Sequence, residues 1–214
     1  MEEFPKLPTK HYKELRHDIH SGDILLCSGS SIFSTLIQKA TKSIWSHVGF
    51  ILRVDAIDRI MVLESVESIG VRTIPLSNYV RDYNASGKGY PGRLMLARHH
   101  DVKEENIPKL SRSAVDFLGY PYRTEEIVHI AARLSLNALG FPPHSIDDKQ
   151  RAFICSEYAQ TCFNSIGVEI GHNKIGFIAP SDFATHPHVT PLCYIETEEE
   201  IKAIAVDTGS GLTC

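Results

Sequence analysis

The residues able to do covalent chemistry are a thiol, an imidazole and a carboxylate, each set where secondary structure begins or pairs. Cys155 stands where the apolar approach Ala152-Phe153-Ile154 turns into a helix starting Ser156-Glu157-Tyr158. Unpaired N–H groups and the positive dipole end of a helix N-terminus favour the thiolate, which is the nucleophilic form. The same N–H groups suit a developing oxyanion. His47 opens the run His47-Val48-Gly49-Phe50-Ile51-Leu52, where alternation puts His47, Gly49 and Ile51 on one strand face. The glycine leaves room beside the histidine for a substrate or for the helix that carries the cysteine.

Glu64 supplies the third group through strand parity. It shares a face with Ile60, Val62 and Val66, where a carboxylate is costly unless something pairs with it. A symmetric hairpin loop over Asp55-Ala56-Ile57-Asp58 sets Val54 opposite Arg59 and therefore Glu64 opposite Gly49. His47 is then the diagonal neighbour of Glu64 on the same face, about 8 Å away between backbones. A register slipped by one would put the two on different faces. Histidine, glutamate and cysteine, in that chain order, make the base, third group and nucleophile of acyl transfer through a thioester. By position, Trp45 before the histidine strand, and Glu157 and Tyr158 after the cysteine, are the candidates for substrate contact.

The elements that must position these groups follow from the periodicity. Residues 7–20 carry a weak helical pattern, and Asp23 to Cys27 reads as a short apolar strand closed by Ser28-Gly29-Ser30-Ser31. Ile32, Phe33, Leu36, Ile37 and Ala40 recur at helical spacing, and strands are expected over His47 to Val54, Arg59 to Val66, Val71 to Leu76 and Arg93 to Arg98. After these come a helix marked by Leu110, Ala114, Phe117 and Leu118, a second marked by Ile127, Ile130, Ala131 and Leu134, and a third from Cys155 that Gly167 stops. Thr190 to Glu196 is a last strand. Strands first and helices later predict an α+β arrangement, an antiparallel sheet covered by helices on one side.

Composition bounds the function. A chain of 214 residues with 43% hydrophobic and 22% charged residues is a soluble globular protein, which excludes whole-chain disorder, collagen and coiled coil. One catalytic domain is expected over residues 1–196, with 197–214 as a C-terminal tail. The net charge of −4, with no basic cluster, speaks against a nucleic-acid partner. The apolar stretch from Ile127 to Phe141 is broken by His129, Arg133 and Asn137, so no transmembrane segment is expected. The acidic start Met-Glu-Glu lacks the look of a secretion signal, and the expected location is cytoplasmic.

Five cysteines without a C-x-x-C pair argue for free thiols rather than a disulfide framework. His99-His100 and His186-Pro187-His188 lack metal-ligand spacing to cysteine or carboxylate, so neither metal nor cofactor is expected.

Five short segments carry a family resemblance in a fixed order. They are Gly22-Asp23-Ile24-Leu25-Leu26, Ser46-His47-Val48-Gly49-Phe50, Leu63-Glu64-Ser65, Gly119-Tyr120-Pro121-Tyr122 and Phe153-Ile154-Cys155-Ser156-Glu157-Tyr158. Together they resemble the circularly permuted branch of the NlpC-type papain-like superfamily, its YiiX-like amidases foremost and the lecithin:retinol acyltransferases more distantly. The resemblance implies a permuted papain-like (NlpC-like) fold in which the cysteine helix packs against an antiparallel sheet carrying the histidine. It matches Cys155 to the nucleophile, His47 to the base, Glu64 to the third polar position and Asp23 to a structural position. The implied activity is that of a cysteine amidase or peptidase acting on a small peptide, an amino-acid amide or an acylated substrate. Lipid-directed acyl transfer and a non-catalytic binding module on the same fold are the competing expectations.

Overall fold

Two alternating apolar runs joined by the turn at 55–58 set the register of the sheet. In the computed structural model, which describes residue 4 and residues 6–124, 153–171 and 177–197, these runs are His47–Val54 (β3) and Arg59–Val66 (β4). Val54 pairs with Arg59 and Phe50 with Leu63, the register expected from the symmetric turn. Thr9–His11 (β1), Ile24–Cys27 (β2), Gly70–Pro75 (β5), Leu94–His99 (β6) and Val189–Glu196 (β7) complete a seven-stranded sheet of order β1-β7-β6-β2-β3-β4-β5. Its ladders are antiparallel except that β1 runs parallel to β7, so the sheet is mixed.

The helices are Tyr12–Leu15 (α1), Ile32–Thr41 (α2), Leu76–Arg81 (α3), Ile107–Asp116 (α4), Cys155–Asn164 (α5) and Pro180–Thr185 (α6). The α+β class is as expected. The expected covering on one side is not: among the described residues, both faces of the sheet are packed. Val48, Phe50 and Leu63 join Tyr158 and Phe163 of α5 and Phe183 of α6 in one core, and Phe50 lies 5.7 Å from the Tyr158 ring and 5.5 Å from that of Phe163. Leu25, Ile51, Ile60 and Val62 join Leu15 of α1 and Leu76, Tyr79 and Val80 of α3 in a second core. The signal was the unbroken run Ile24-Leu25-Leu26-Cys27, buried at every residue, because a strand covered on both faces does not alternate.

Three further expectations need correction. The strand expected over Val71 to Leu76 stops at Pro75, and α3 begins at Leu76. The helical pattern of residues 7–20 yields only one turn of helix, after a strand at Thr9–His11. The cysteine helix does not lie over the Gly49 face but packs on the opposite one, where Phe50 meets it. The helix expected around Ile127 lies outside the described residues, as does the tail beyond Thr197. At the end of α5, Gly167 adopts φ +80°, a left-handed conformation that glycine takes without a Cβ penalty, and its N–H donates to the Asn164 carbonyl.

Candidate active site

His47 is the first residue of β3 and Cys155 the first of α5, so the site forms where both elements begin. The approach to Cys155 is tied down from two sides. Ser65 Oγ donates to the Phe153 carbonyl at 2.8 Å, and Ser156 Oγ donates to the Ile178 carbonyl at 2.6 Å. Phe153 also donates its N–H to the Pro121 carbonyl at 3.1 Å, which brings Tyr122 alongside. His47 is held by pairing opposite Cys27 of β2. These contacts aim the first turn of α5 at the end of the sheet.

His47 Nε2 lies 2.6 Å from Glu64 Oε2. With Nε2 engaged there, Nδ1 is the ring nitrogen left for the Cys155 thiol, which is near enough to raise the His47 pKa. Glu64 is fully buried and accepts from Arg72 Nε at 2.8 Å and from the Tyr79 hydroxyl. Burial pushes the carboxyl up, but His47, Arg72 and Tyr79 together outweigh it and hold its pKa below the ordinary 4.5. Burial likewise pushes His47 down, and the combined pull of Cys155 and Glu64 reverses this and raises it to about 10. The arrangement is therefore an imidazolium beside the Cys155 sulfur on one side and an ionised carboxylate on the other.

The structure brings Cys155, His47 and Glu64 together and separates the three expected substrate contacts from them. Trp45 is fully buried, its ring 6.4 Å from that of Tyr194, so it packs in the core rather than walling the site. Tyr158 is likewise buried and donates its hydroxyl to the Ala114 carbonyl at 3.0 Å. Glu157 turns back on its own helix, accepting the Ile154 N–H at 3.3 Å and facing Arg123 Nη1 at 3.5 Å. Asp23 is structural, as the resemblance implied: it binds Arg98 Nε at 2.6 Å and caps the His20 N–H at 2.7 Å.

Arg72 and Tyr79 are the site residues that the sequence reading missed. Arg72 was within reach of it, since β5 pairs it directly opposite Glu64. Beside His47 lies an open cavity of about 430 Å³, bounded by Ser46, Ser65, Arg72, Tyr90, Tyr122 and Phe33. Cys155 is 2% exposed and does not itself line this space.

The histidine-rich segments do converge. His99, His186 and His188 have ring centroids 5.1 to 5.9 Å apart, and His188 Nδ1 lies 2.5 Å from Asp101 Oδ2. His99 and His186, however, each accept a backbone N–H at Nδ1, from Asp101 and from His188. Their neutral rings therefore carry the proton at Nε2 and present a donor rather than a lone pair to a cation. Among the described residues, no group of three or more histidines, cysteines and carboxylates is disposed to hold a metal ion.

Comparison with known proteins matches residues 18–190 to the family model described as permuted papain-like amidase enzyme, YaeF/YiiX, C92 family. Among solved structures, the chain is similar to metalloprotein YiiX from Escherichia coli O157:H7. The identity is 21%, the TM-score is 0.59, and the match covers 82% of this chain and 97% of that one. No curated protein sequence matches. The chain belongs to the permuted papain-like amidase family, YaeF/YiiX branch.

Proposed function

We propose that this permuted papain-like amidase hydrolyses amide bonds through a thioester on Cys155, with His47 as base and Glu64 as the group that orients it. The observation that carries the reading is the His47 ring, bound at Nε2 by Glu64 and close enough to the Cys155 thiol for both to raise its pKa. The Cys155 sulfur attacks the carbonyl carbon, and the thiol proton resides on His47. The oxyanion meets backbone N–H groups at the start of α5. His47 then gives its proton to the leaving amine as the C–N bond breaks, forming the thioester. Water, deprotonated by His47, attacks the thioester carbonyl and releases the acid and the thiol. Because the thiol is 2% exposed, the cavity beside His47 has to widen toward it as substrate enters.

Incubating the protein with dipeptide amides and, separately, with short-chain acyl esters tests this reading by intact mass. A turnover-competent amide should leave an acyl adduct on Cys155 and release its amine, and Cys155→Ala should abolish both. Adducts from esters alone, with amides untouched, would transfer the reading to acyl transfer. Amide turnover that survives Cys155→Ala would end it.

A further inference from the structure

We infer that Tyr79 is a positioning residue for the Cys155 and His47 pair: its hydroxyl shares Glu64 Oε2 with His47 Nε2 and fixes the carboxylate in the orientation that aims His47. This deepens the cysteine amidase reading and rests on it. The inference begins with what a buried carboxylate requires. Glu64 has no exposed surface, so its negative charge persists only if donors replace the water it has lost. Three side chains from three elements do so. His47 of β3 and Tyr79 of α3 reach Oε2, and Arg72 of β5 reaches Oε1 at 2.8 Å.

The donors are not equivalent. Arg72 supplies charge and is itself tied elsewhere, with Nη1 on Asn84 Oδ1 at 3.1 Å. Tyr79 supplies direction, because its hydroxyl sits on the same oxygen as His47 and can only be satisfied with the carboxylate in that rotamer. Its ring is immobilised for the purpose, fully buried and packed 4.9 Å from Tyr83 and 5.5 Å from Tyr90. The other titratable groups that feel Glu64 are Cys27 on β2, Tyr83 and Tyr90 beyond α3, and Tyr158 on α5, all neutral through the neutral pH range because burial raises each of them. Cys155 and Glu64 both act on His47. The local sequence that accomplishes this is the helix α3 inserted directly after β5, which sets Tyr79 beneath the carboxylate on the face opposite α5.

Tyr79→Phe removes the donor and keeps the ring. With one donor fewer, Glu64 protonates at higher pH, so the acid limb of kcat/KM should move up by about one pH unit and kcat on the plateau should fall by about threefold to tenfold, with KM little changed. A Tyr79 that only fills the core would lower the melting temperature and leave the pH limb where it was. The second readout is alkylation of Cys155 by iodoacetamide as a function of pH, without substrate. A wild-type alkylation limb below the ordinary thiol range that shifts upward in Tyr79→Phe supports the inference. The same limb at the same pH in both proteins overturns it while leaving the cysteine amidase reading intact. Absence of such a limb in wild type removes the reading and the inference together.

Discussion

His47 Nε2 and Glu64 Oε2 lie 2.6 Å apart on neighbouring antiparallel strands, a diagonal cross-strand contact made possible by a glycine at position 49. That contact orients the His47 ring and sets which nitrogen keeps its proton when the other gives one up, so Glu64→Gln should lower turnover by roughly ten to a thousandfold, less than His47→Ala does. The amide also strands Arg72, whose Nε donates to the same carboxylate, and this predicts a stability loss of about 3 kcal/mol. Urea unfolding measured beside steady-state kinetics checks both. Full activity with unchanged stability would show that Glu64 does not orient His47.

Gly49 keeps the space that this contact occupies. A Cβ there would stand 3.0 Å from the Leu63 carbonyl oxygen and from Val62 Cγ1, and 3.3 Å from Glu64 Cβ. Gly49→Ala should therefore push on the carboxylate's own backbone, costing about 1–3 kcal/mol and most of the turnover. Denaturant midpoints and kcat, measured on the folded fraction, give the answer. A neutral substitution would mean that β3 and β4 yield more easily than their pairing implies.

The charged pair predicts a pH dependence of stability with a definite sign. The folded pKa of His47 is raised from 6.5 to about 10, so its stabilising contribution is complete below pH 6.5 and fades as the pH rises toward 10. Glu64 is lowered from 4.5, so its contribution is complete above that value and is lost as acid carries the pH through its depressed pKa. The difference in Tm between wild type and His47→Gln should be largest at mildly acidic pH and shrink steadily into the alkaline range. A difference that grows with pH would contradict a protonated His47.

Asp23 predicts the opposite separation of effects. It is buried, binds Arg98 Nε at 2.6 Å and caps the His20 N–H, and none of these contacts is with Cys155, His47 or Glu64. Asp23→Ala should cost about 2 kcal/mol of stability and leave kcat of the folded protein unchanged. Thermal melts together with active-site-normalised kinetics test this, and a fall in kcat would tie Asp23 to the site.

The central contact was legible because the turn after Val54 is symmetric and strand parity is strict, so one correct pairing placed Glu64 beside His47. The same arithmetic across the next turn reaches Arg72, since Val66 pairs with Gly70. Tyr79 was not legible: its helix begins at Leu76, the residue expected to end the strand, and tertiary packing decided where the strand stopped. Trp45 misled for a related reason. Nearness to His47 in sequence says little about a side chain that the sheet turns toward Tyr194. The helix start at Cys155 was legible from its local sequence, whereas the face on which that helix packs depended on Phe50 meeting Tyr158 and Phe163, contacts remote in sequence.

The most direct measurement is the rate at which iodoacetamide alkylates Cys155 at mildly acidic pH, resolved by peptide mass spectrometry, in the folded protein and in the same chain unfolded in urea. Burial alone would make the folded thiol the slower of the two, at 2% exposure. A thiolate held by protonated His47 should instead react at least about tenfold faster folded than unfolded, an advantage that His47→Ala removes. If Cys155 reacts more slowly in the folded protein, with or without His47, it is a buried structural thiol and not a nucleophile.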